Sequence, residues 1–240
     1  VMRERPALLA RGSKVFIRGN WTDLGEEVSP GIPASLHPLP ESAEPARLQM
    51  AKWLVDTENP LTARVLVTRF WEQLFGVGIV ETLEDFGSIG EVPSHPELLD
   101  YLANQLMHDY DWSMKSLLRE IVLSATYRQS SAATPELVER DPKNRLLARG
   151  PRNRMTGEMI RDQVLALAGL LNDEMYGPPI RPPLPEGGWT PAHSVAGKWV
   201  ADKDDRIYRR SIYIHWQRSS PYPLFTAFDA PMRDLCTDRR

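Results

Sequence analysis

The chain has 240 residues, 42% hydrophobic and 25% charged, enough to bury a sizeable core as one domain or as one domain with attached segments. Its formal net charge of −3 excludes a general binder of nucleic acid or other polyanions, and no apolar run approaches the ~18 residues of a membrane-spanning helix. Arginine outnumbers lysine 23 to 6. Beside so many acids, the planar five-donor guanidinium points first to structural ion-pair networks. The single cysteine, Cys236, forms no internal disulfide, and neither CxxC nor CxxCH is present to hold a metal or haem.

Residues 1–43 read as an extended leading segment or linker. Val15-Phe16-Ile17-Arg18 is β-prone, while Gly12, Gly19, Gly25, Gly31 and five prolines from Pro6 to Pro40 exclude long helices. Residues 44–240 read as one α-rich domain. Ala46, Met50, Trp53 and Leu54 recur at helical spacing until Thr57-Glu58-Asn59. Asn59 as N-cap and Pro60 at the first helical position open the next helix, whose apolar face holds Leu61, Val65, Phe70, Trp71, Leu74 and Phe75 before Gly76 stops it. Residues 76–94 form a loop, with a short β piece expected at Val77–Val80. Ser94-His95-Pro96-Glu97 reads as a capping box ahead of Leu98, Leu99, Leu102 and Leu106. After Asp111-Trp112-Ser113, the positions of Met114, Leu117, Leu118, Ile121, Val122 and Ala125 give the most amphipathic helix. Asp141-Pro142 is expected to open a short helix through Leu147. Thr156 should cap a longer one with Ile160, Val164, Leu167, Ala168 and Leu171 inward. From 177 to 199 the helical signal stops in a Pro/Gly-rich loop of a length that tends to be functional. Arg210 to Trp216 alternates as a strand. The expected fold is mainly α, about six helices around one core, with short β elements near residues 15–18 and 211–216.

Glu84-Asp85-Phe86-Gly87 contains the triplet with which kinases hold magnesium, but the Gly-rich loop, strand lysine and His-Arg-Asp loop are missing. Asp85 is therefore read as a turn residue completed by Gly87. None of His37, His95, His108, His193 and His215 makes HExxH or another pair at i, i+3 or i, i+4, so no metal site is expected. His95 stands at a helix start, where capping or packing is the first reading and a polar site with Asp85 and Glu97 the second. Neither a GxSxG elbow nor a Walker loop is present. Thr126-Tyr127-Arg128-Gln129-Ser130-Ser131 either satisfies helix-end carbonyls, the favoured reading, or binds an anion. The most basic stretch, Lys143 to Arg161, lacks the interleaved aromatics of a base-stacking surface and reads as a solvated or ion-paired face. Trp189, His193 and Trp199 in the Pro/Gly-rich loop either present a surface that stacks on sugar rings or clamp the loop to the domain.

Taken together, these segments resemble a planctomycete-specific C-terminal domain of unknown function. The resemblance rests on Asn59-Pro60-Leu61-Thr62-Ala63-Arg64-Val65-Leu66-Val67-Thr68-Arg69-Phe70-Trp71 with Leu74-Phe75-Gly76, then Asp85-Phe86-Gly87-Ser88 and Pro93-Ser94-His95-Pro96-Glu97-Leu98-Leu99-Asp100. It continues at Ser124 to Ser131, Asp141-Pro142-Lys143-Asn144-Arg145-Leu146-Leu147, Arg161-Asp162, Arg209-Arg210-Ser211-Ile212-Tyr213 and Phe228-Asp229-Ala230-Pro231. It implies the C-terminal part of large exported proteins that often carry cytochrome c-like modules upstream. The location it implies is extracytoplasmic, periplasmic or at the cell surface. No cofactor is expected in this stretch, with haem c belonging to upstream domains, and the family's last helix is expected to lie beyond residue 240. The family brings no agreed catalytic residues. Its matched positions suggest a shared polar site among Asn59, Arg64, Arg69, Asp85, His95, Arg128, Arg161, Asp162, Arg210 and Asp229.

Three functions compete on these grounds. The leading one is an accessory or interaction module whose partners are the upstream domains of the same protein and, as a further candidate, polysaccharide. Its rival is a glycan-acting hydrolase using Asp85, His95 or Asp229. The third is a docking surface for an electron-transfer partner, built from the aromatic loop and the arginine-rich face. An enzyme requires the polar residues to converge in one pocket. A module allows them to pair with each other and with helix ends.

Overall fold

The computed structural model describes residues 7–9, 12–39, 46–184, 199–217, 221–228 and 230. They fall into two compact units, Val1–Pro151 and Arg152–Arg240. The fold is mainly α: among the described residues there are seven α-helices, and the sheet has two strands. No helix is long and apolar enough to cross a membrane.

The first unit begins with an antiparallel hairpin of β1 (Ser13–Phe16) and β2 (Leu24–Val28), paired Ser13 to Val28 and Phe16 to Leu24. The expected β element at 15–18 thus ends at Phe16, because Arg18 turns the chain with φ of 50°. Helix α1 (Ala46–Leu54) buries Trp53, whose indole N–H donates to the His37 carbonyl at 2.9 Å while its ring stacks on His37 at 4.9 Å. Asn59 then works in both directions. Its amide donates to the Trp53 carbonyl at 3.3 Å, and its Oδ1 accepts from the Leu61 and Thr62 amides at 3.0 and 3.3 Å. These bonds satisfy amide groups that the first turn of α2 (Thr62–Phe75) leaves open. Ala63, Val67, Trp71 and Phe75 follow at steps of four and are buried. Gly76 ends the helix with φ of 81°, a left-handed conformation open to glycine, and its amide donates to the Glu72 carbonyl at 2.7 Å.

The strand expected at Val77–Val80 is not formed, and one contact explains why. Ile79 and Val80 are buried, but the Ile79 carbonyl accepts from the Ser94 amide at 2.9 Å and hydroxyl at 3.2 Å, and the Gly78 carbonyl accepts from Arg145 at 2.9 Å. The acceptors of a ladder are already in use. The same contact diverts the Ser94 hydroxyl from the expected capping box, leaving His95 as the N-cap residue of α3 (Pro96–Asn104) with no side-chain cap. Helix α3 buries Leu99, Leu102 and Ala103 and runs into one wider turn at Gln105–Asp109 that buries Leu106. Helix α4 (Met114–Leu123) is capped by Ser113 and buries Leu117 and Ile121. Helix α5 (Pro135–Arg140), capped by Thr134, was not legible from the pattern. The helix expected over 141–147 is instead a turn: the buried Asp141 carboxylate accepts from the Arg145 and Leu146 amides, each at 2.7 Å, and Asn144 and Leu147 have φ of 52° and 55°.

In the second unit, Thr156 caps α6 (Gly157–Leu167) by accepting from the Met159 amide at 3.3 Å. The inward face differs from the expected one. Val164 and Leu167 are 59% and 82% exposed, whereas Gly157 and Arg161 are buried. Gly157 is fitted to α7 (Pro223–Ala227): a Cβ there would stand 3.3 Å from Leu224 and 3.4 Å from Phe225. The β element near 211–216 is reduced to a bridge between Ile180 and Ile214, after a tight turn at Ser211–Tyr213. The Ile180 amide donates to Tyr213 and the His215 amide to Ile180, both at 2.8 Å. Buried apolar side chains gather in two clusters, one per unit. Val67, Leu99 and Leu117 lie at the centre of the first, and Ile180, Ile214 and Phe225 form the second.

One polar clamp in the first unit is open to titration. The Tyr101 and Tyr110 hydroxyls each donate to a different oxygen of the Glu120 carboxylate at 2.8 Å. The bond to Glu120 pushes the Tyr110 hydroxyl up to about 12 and raises Tyr101 as well. A raised phenol favours the protonated fold, so its contribution is complete below the ordinary value of about 10 and is lost as pH climbs through about 12. Alkaline titration by tyrosinate absorbance, read as the difference between the wild type and Tyr110→Phe, should place this late midpoint. Glu120→Gln should lower it towards the ordinary phenol range, and an unchanged midpoint would contradict the clamp.

Candidate functional site

The polar residues singled out in the sequence divide between the two units. In the first, Asn59 is buried at the junction of α1 and α2. Arg64 binds Asp100 at 2.7 Å across to α3 and also donates to the Pro60 carbonyl, bracing the start of α2. Arg69 and Arg128 are exposed. The Asp85 carboxylate accepts from the Gly87 amide at 2.7 Å, closing a turn. His95 Nδ1 meets the Ser94 hydroxyl at 3.0 Å, and the imidazole lines a narrow hole with Trp71, Lys143 and Arg145. That hole holds about 10 Å³, room for one water, and Asp85 does not line it.

The basic stretch from Lys143 to Arg161 is used mainly on carbonyls. Arg145 holds Gly78, and Arg149 Nη2 donates to the Asp141 and Pro142 carbonyls at 2.9 and 3.0 Å. Lys143 pairs with Glu81 at 2.6 Å. In the polar run after α4, the exposed Gln129 also serves carbonyls, donating to those of Thr126 and Leu147, both at 2.9 Å. Among the described residues, ion pairs are made by Arg64, Arg161 and Arg206, while Arg145, Arg149 and Arg209 work on carbonyls. A five-donor fork can satisfy several carbonyls at once, which an ammonium held at one point does less well.

In the second unit, Arg161 is the buried charged residue on α6. Its Nη1 donates to the Arg209 carbonyl at 2.9 Å and the Ser211 hydroxyl at 3.2 Å, and its Nη2 to the Ile207 carbonyl. Burial pushes its guanidinium below the ordinary value, opposed by Tyr222 and Asp162. Asp162 accepts from the Ser211 amide at 2.7 Å and stands 3.9 Å from Arg161. Trp199 lies against the second cluster and donates its indole N–H to the Pro182 carbonyl at 2.9 Å, clamping the loop at that point. Trp189, His193 and Asp229 lie outside the described residues.

The residue that the sequence reading passed over is Arg209. It is 1% exposed, donates to the carbonyls of Glu174 at 3.3 and 3.1 Å, Pro178 at 3.2 Å and Tyr176, and lies 4.0 Å above the Tyr213 ring. A signal was available. Pro178-Pro179 and Pro182-Pro183 remove amide donors from a segment that keeps all its carbonyls, so a buried stretch there needs side-chain donors.

Among the described residues of this unit, an open cavity of ligand size, about 560 Å³, lies between α6 and the Ser211–Tyr213 turn, lined by Glu158, Met159, Asp162, Arg210, Ile212 and Trp216 among others. Two of the predicted polar residues, Asp162 and Arg210, reach it. Among the described residues no group of three or more His, Cys, Asp or Glu is arranged to hold a metal ion.

Neighbouring arginines make a sharp test of this arrangement. Arg209→Ala should destabilise the second unit by on the order of 3 kcal/mol, because it empties a buried position and removes the donor shared by the Glu174, Tyr176 and Pro178 carbonyls. Arg210→Ala, at an exposed residue, should stay within about 0.5 kcal/mol of wild type. Urea denaturation of both variants checks this, and equal losses would refute it.

No curated protein and no solved structure matches this chain. Residues 46–240 match the model of one family, PSD1, described as a protein of unknown function (DUF1553), and the chain belongs to that family.

Proposed function

We propose that this chain is an accessory or interaction module of a large extracytoplasmic protein with cytochrome c-like modules upstream, and that those upstream domains are its partners. The resemblance supplies the cellular setting. The observation that carries the molecular part is how the charged residues are used. Arg64, Arg161 and Arg209 donate to the chain's own carbonyls, and Asp85 and Asp162 accept from its own amides. Groups held this way brace a fold. They are poorly placed to exchange protons with a substrate.

A second reading, hydrolysis of a glycan, draws on one observation, the cavity where Glu158 and Asp162 stand on one face of α6. Asp85 and His95 contribute nothing to that cavity.

The two readings separate on one pair of assays. The module reading expects the chain to associate with separately produced upstream domains, by calorimetry. It also expects Arg161→Ala to lower the melting temperature by several degrees. Release of reducing ends from a glycan, lost in Asp162→Asn at unchanged melting temperature, would overturn it.

A further inference from the structure

The cavity of the second unit offers an unusual balance of groups. Its apolar wall contains Trp216, which stacks on Phe225 at 5.1 Å and 18°, with Ile212, itself 76% exposed, alongside. Its polar side presents the carboxylates of Glu158 and Asp162 and the guanidinium of Arg210. Asp162 uses Oδ1 on the Ser211 amide, and among the described residues no group hydrogen-bonds its Oδ2. Arg210 is exposed, and among the described residues its guanidinium donates only to the Met175 sulfur, at 3.9 Å. Arg161 stands behind Asp162 at 3.9 Å and is itself held by the Arg209 and Ile207 carbonyls, so the open groups facing the cavity are one carboxylate oxygen of Asp162 and the Arg210 guanidinium.

That balance selects the ligand. A phosphate or other compact anion would meet the Asp162 carboxylate. A simple cation would meet Arg210. An aliphatic acid would fill the apolar wall but give Asp162 no donor. The fitting ligand is neutral, donates O–H to Asp162, accepts from Arg210, and lays an apolar face on the wall. A pyranose ring meets all four requirements.

We propose that this cavity is a saccharide-binding site, with Asp162 and Arg210 gripping ring hydroxyls and the Ile212–Trp216 side receiving the apolar ring face. The inference rests on the module reading, since it asks the site to hold a glycan without cleaving it.

Calorimetry of the 240-residue chain with cellohexaose, xylohexaose and maltohexaose tests it, with decanoate and inorganic phosphate as rivals. At least one hexaose should saturate a single site. Arg210→Ala and Asp162→Asn should each weaken that binding by about tenfold, as expected for one lost charge-assisted hydrogen bond, while the Arg210→Ala melting temperature stays at the wild-type value. The proposal is overturned if no hexaose saturates the chain at millimolar concentration, if both variants bind like wild type, or if only decanoate or phosphate binds. Saturable binding accompanied by release of reducing ends would support the site and overturn the module reading instead.

Discussion

Backbone carbonyls that have lost their amide partners set the terms of this fold. The chain holds 21 prolines, each removing a donor and keeping an acceptor, and much of its length is neither helix nor strand. Carbonyls with no amide to meet still need donors, and where they are buried, as at Gly78, Asp141 and Arg209, leaving one unpaired costs on the order of 1–3 kcal/mol. Arginine answers that need repeatedly: Arg64 at Pro60, Arg145 at Gly78, Arg149 at Asp141 and Pro142, Arg161 at Ile207 and Arg209, and Arg209 at Glu174 and Pro178. Among the described residues five of the 23 arginines work this way, and three of these forks, Arg149, Arg161 and Arg209, serve two or more carbonyls at once.

In the second unit the arrangement becomes a relay. Arg161 on α6 holds the carbonyl of Arg209, and the Arg209 side chain in turn holds the segment from Glu174 to Pro178. Asp162, the next residue along α6, fixes the Ser211 amide on the same turn. Two adjacent residues of one helix thus set the turn from which Arg210 reaches the cavity. The rotation of α6 follows from this: the helix places Arg161 inward and leaves Val164 and Leu167 exposed, against their hydropathy. The roles of two neighbouring arginines divide at a single peptide bond. Arg209 is consumed by the fold, and Arg210 is left facing the cavity.

Much of the helical architecture was legible in the sequence, because periodicity and termini reinforced each other. Gly76 ends α2, Ser113 opens α4 and Thr156 opens α6, whereas α2 starts at Thr62 with Leu61 as its N-cap residue, two residues after the expected Pro60. What escaped shares one cause. The Ser94 hydroxyl bonds the Ile79 carbonyl 15 residues away, Asp141 folds its own successors into a turn, and Arg161 reaches 48 residues to Arg209. Each is a polar contact that overrides a local pattern, and no window of neighbouring residues contains both partners of the distant ones. The division of the apolar residues into two clusters was hidden for the same reason, since a hydrophobic stripe does not say which other stripe it meets. Of the site, Asp162 and Arg210 were named in advance from the resemblance. The cavity they share was not, because its wall comes from residues that read as an ordinary strand.

The central claim is that side-chain donors, rather than a backbone ladder, hold the proline-rich segment of the second unit to its helix. Native-state hydrogen exchange on the unmodified chain tests it directly, at the amides of Asn172, Ile180 and His215 and along α6. These three amides bond Tyr208, Tyr213 and Ile180 in the segments that the two arginines secure. The account predicts that all three open together with α6, at one common free energy and one common dependence on denaturant. Exchange of the three at the rate of an unprotected loop, while α6 stays protected, would contradict it.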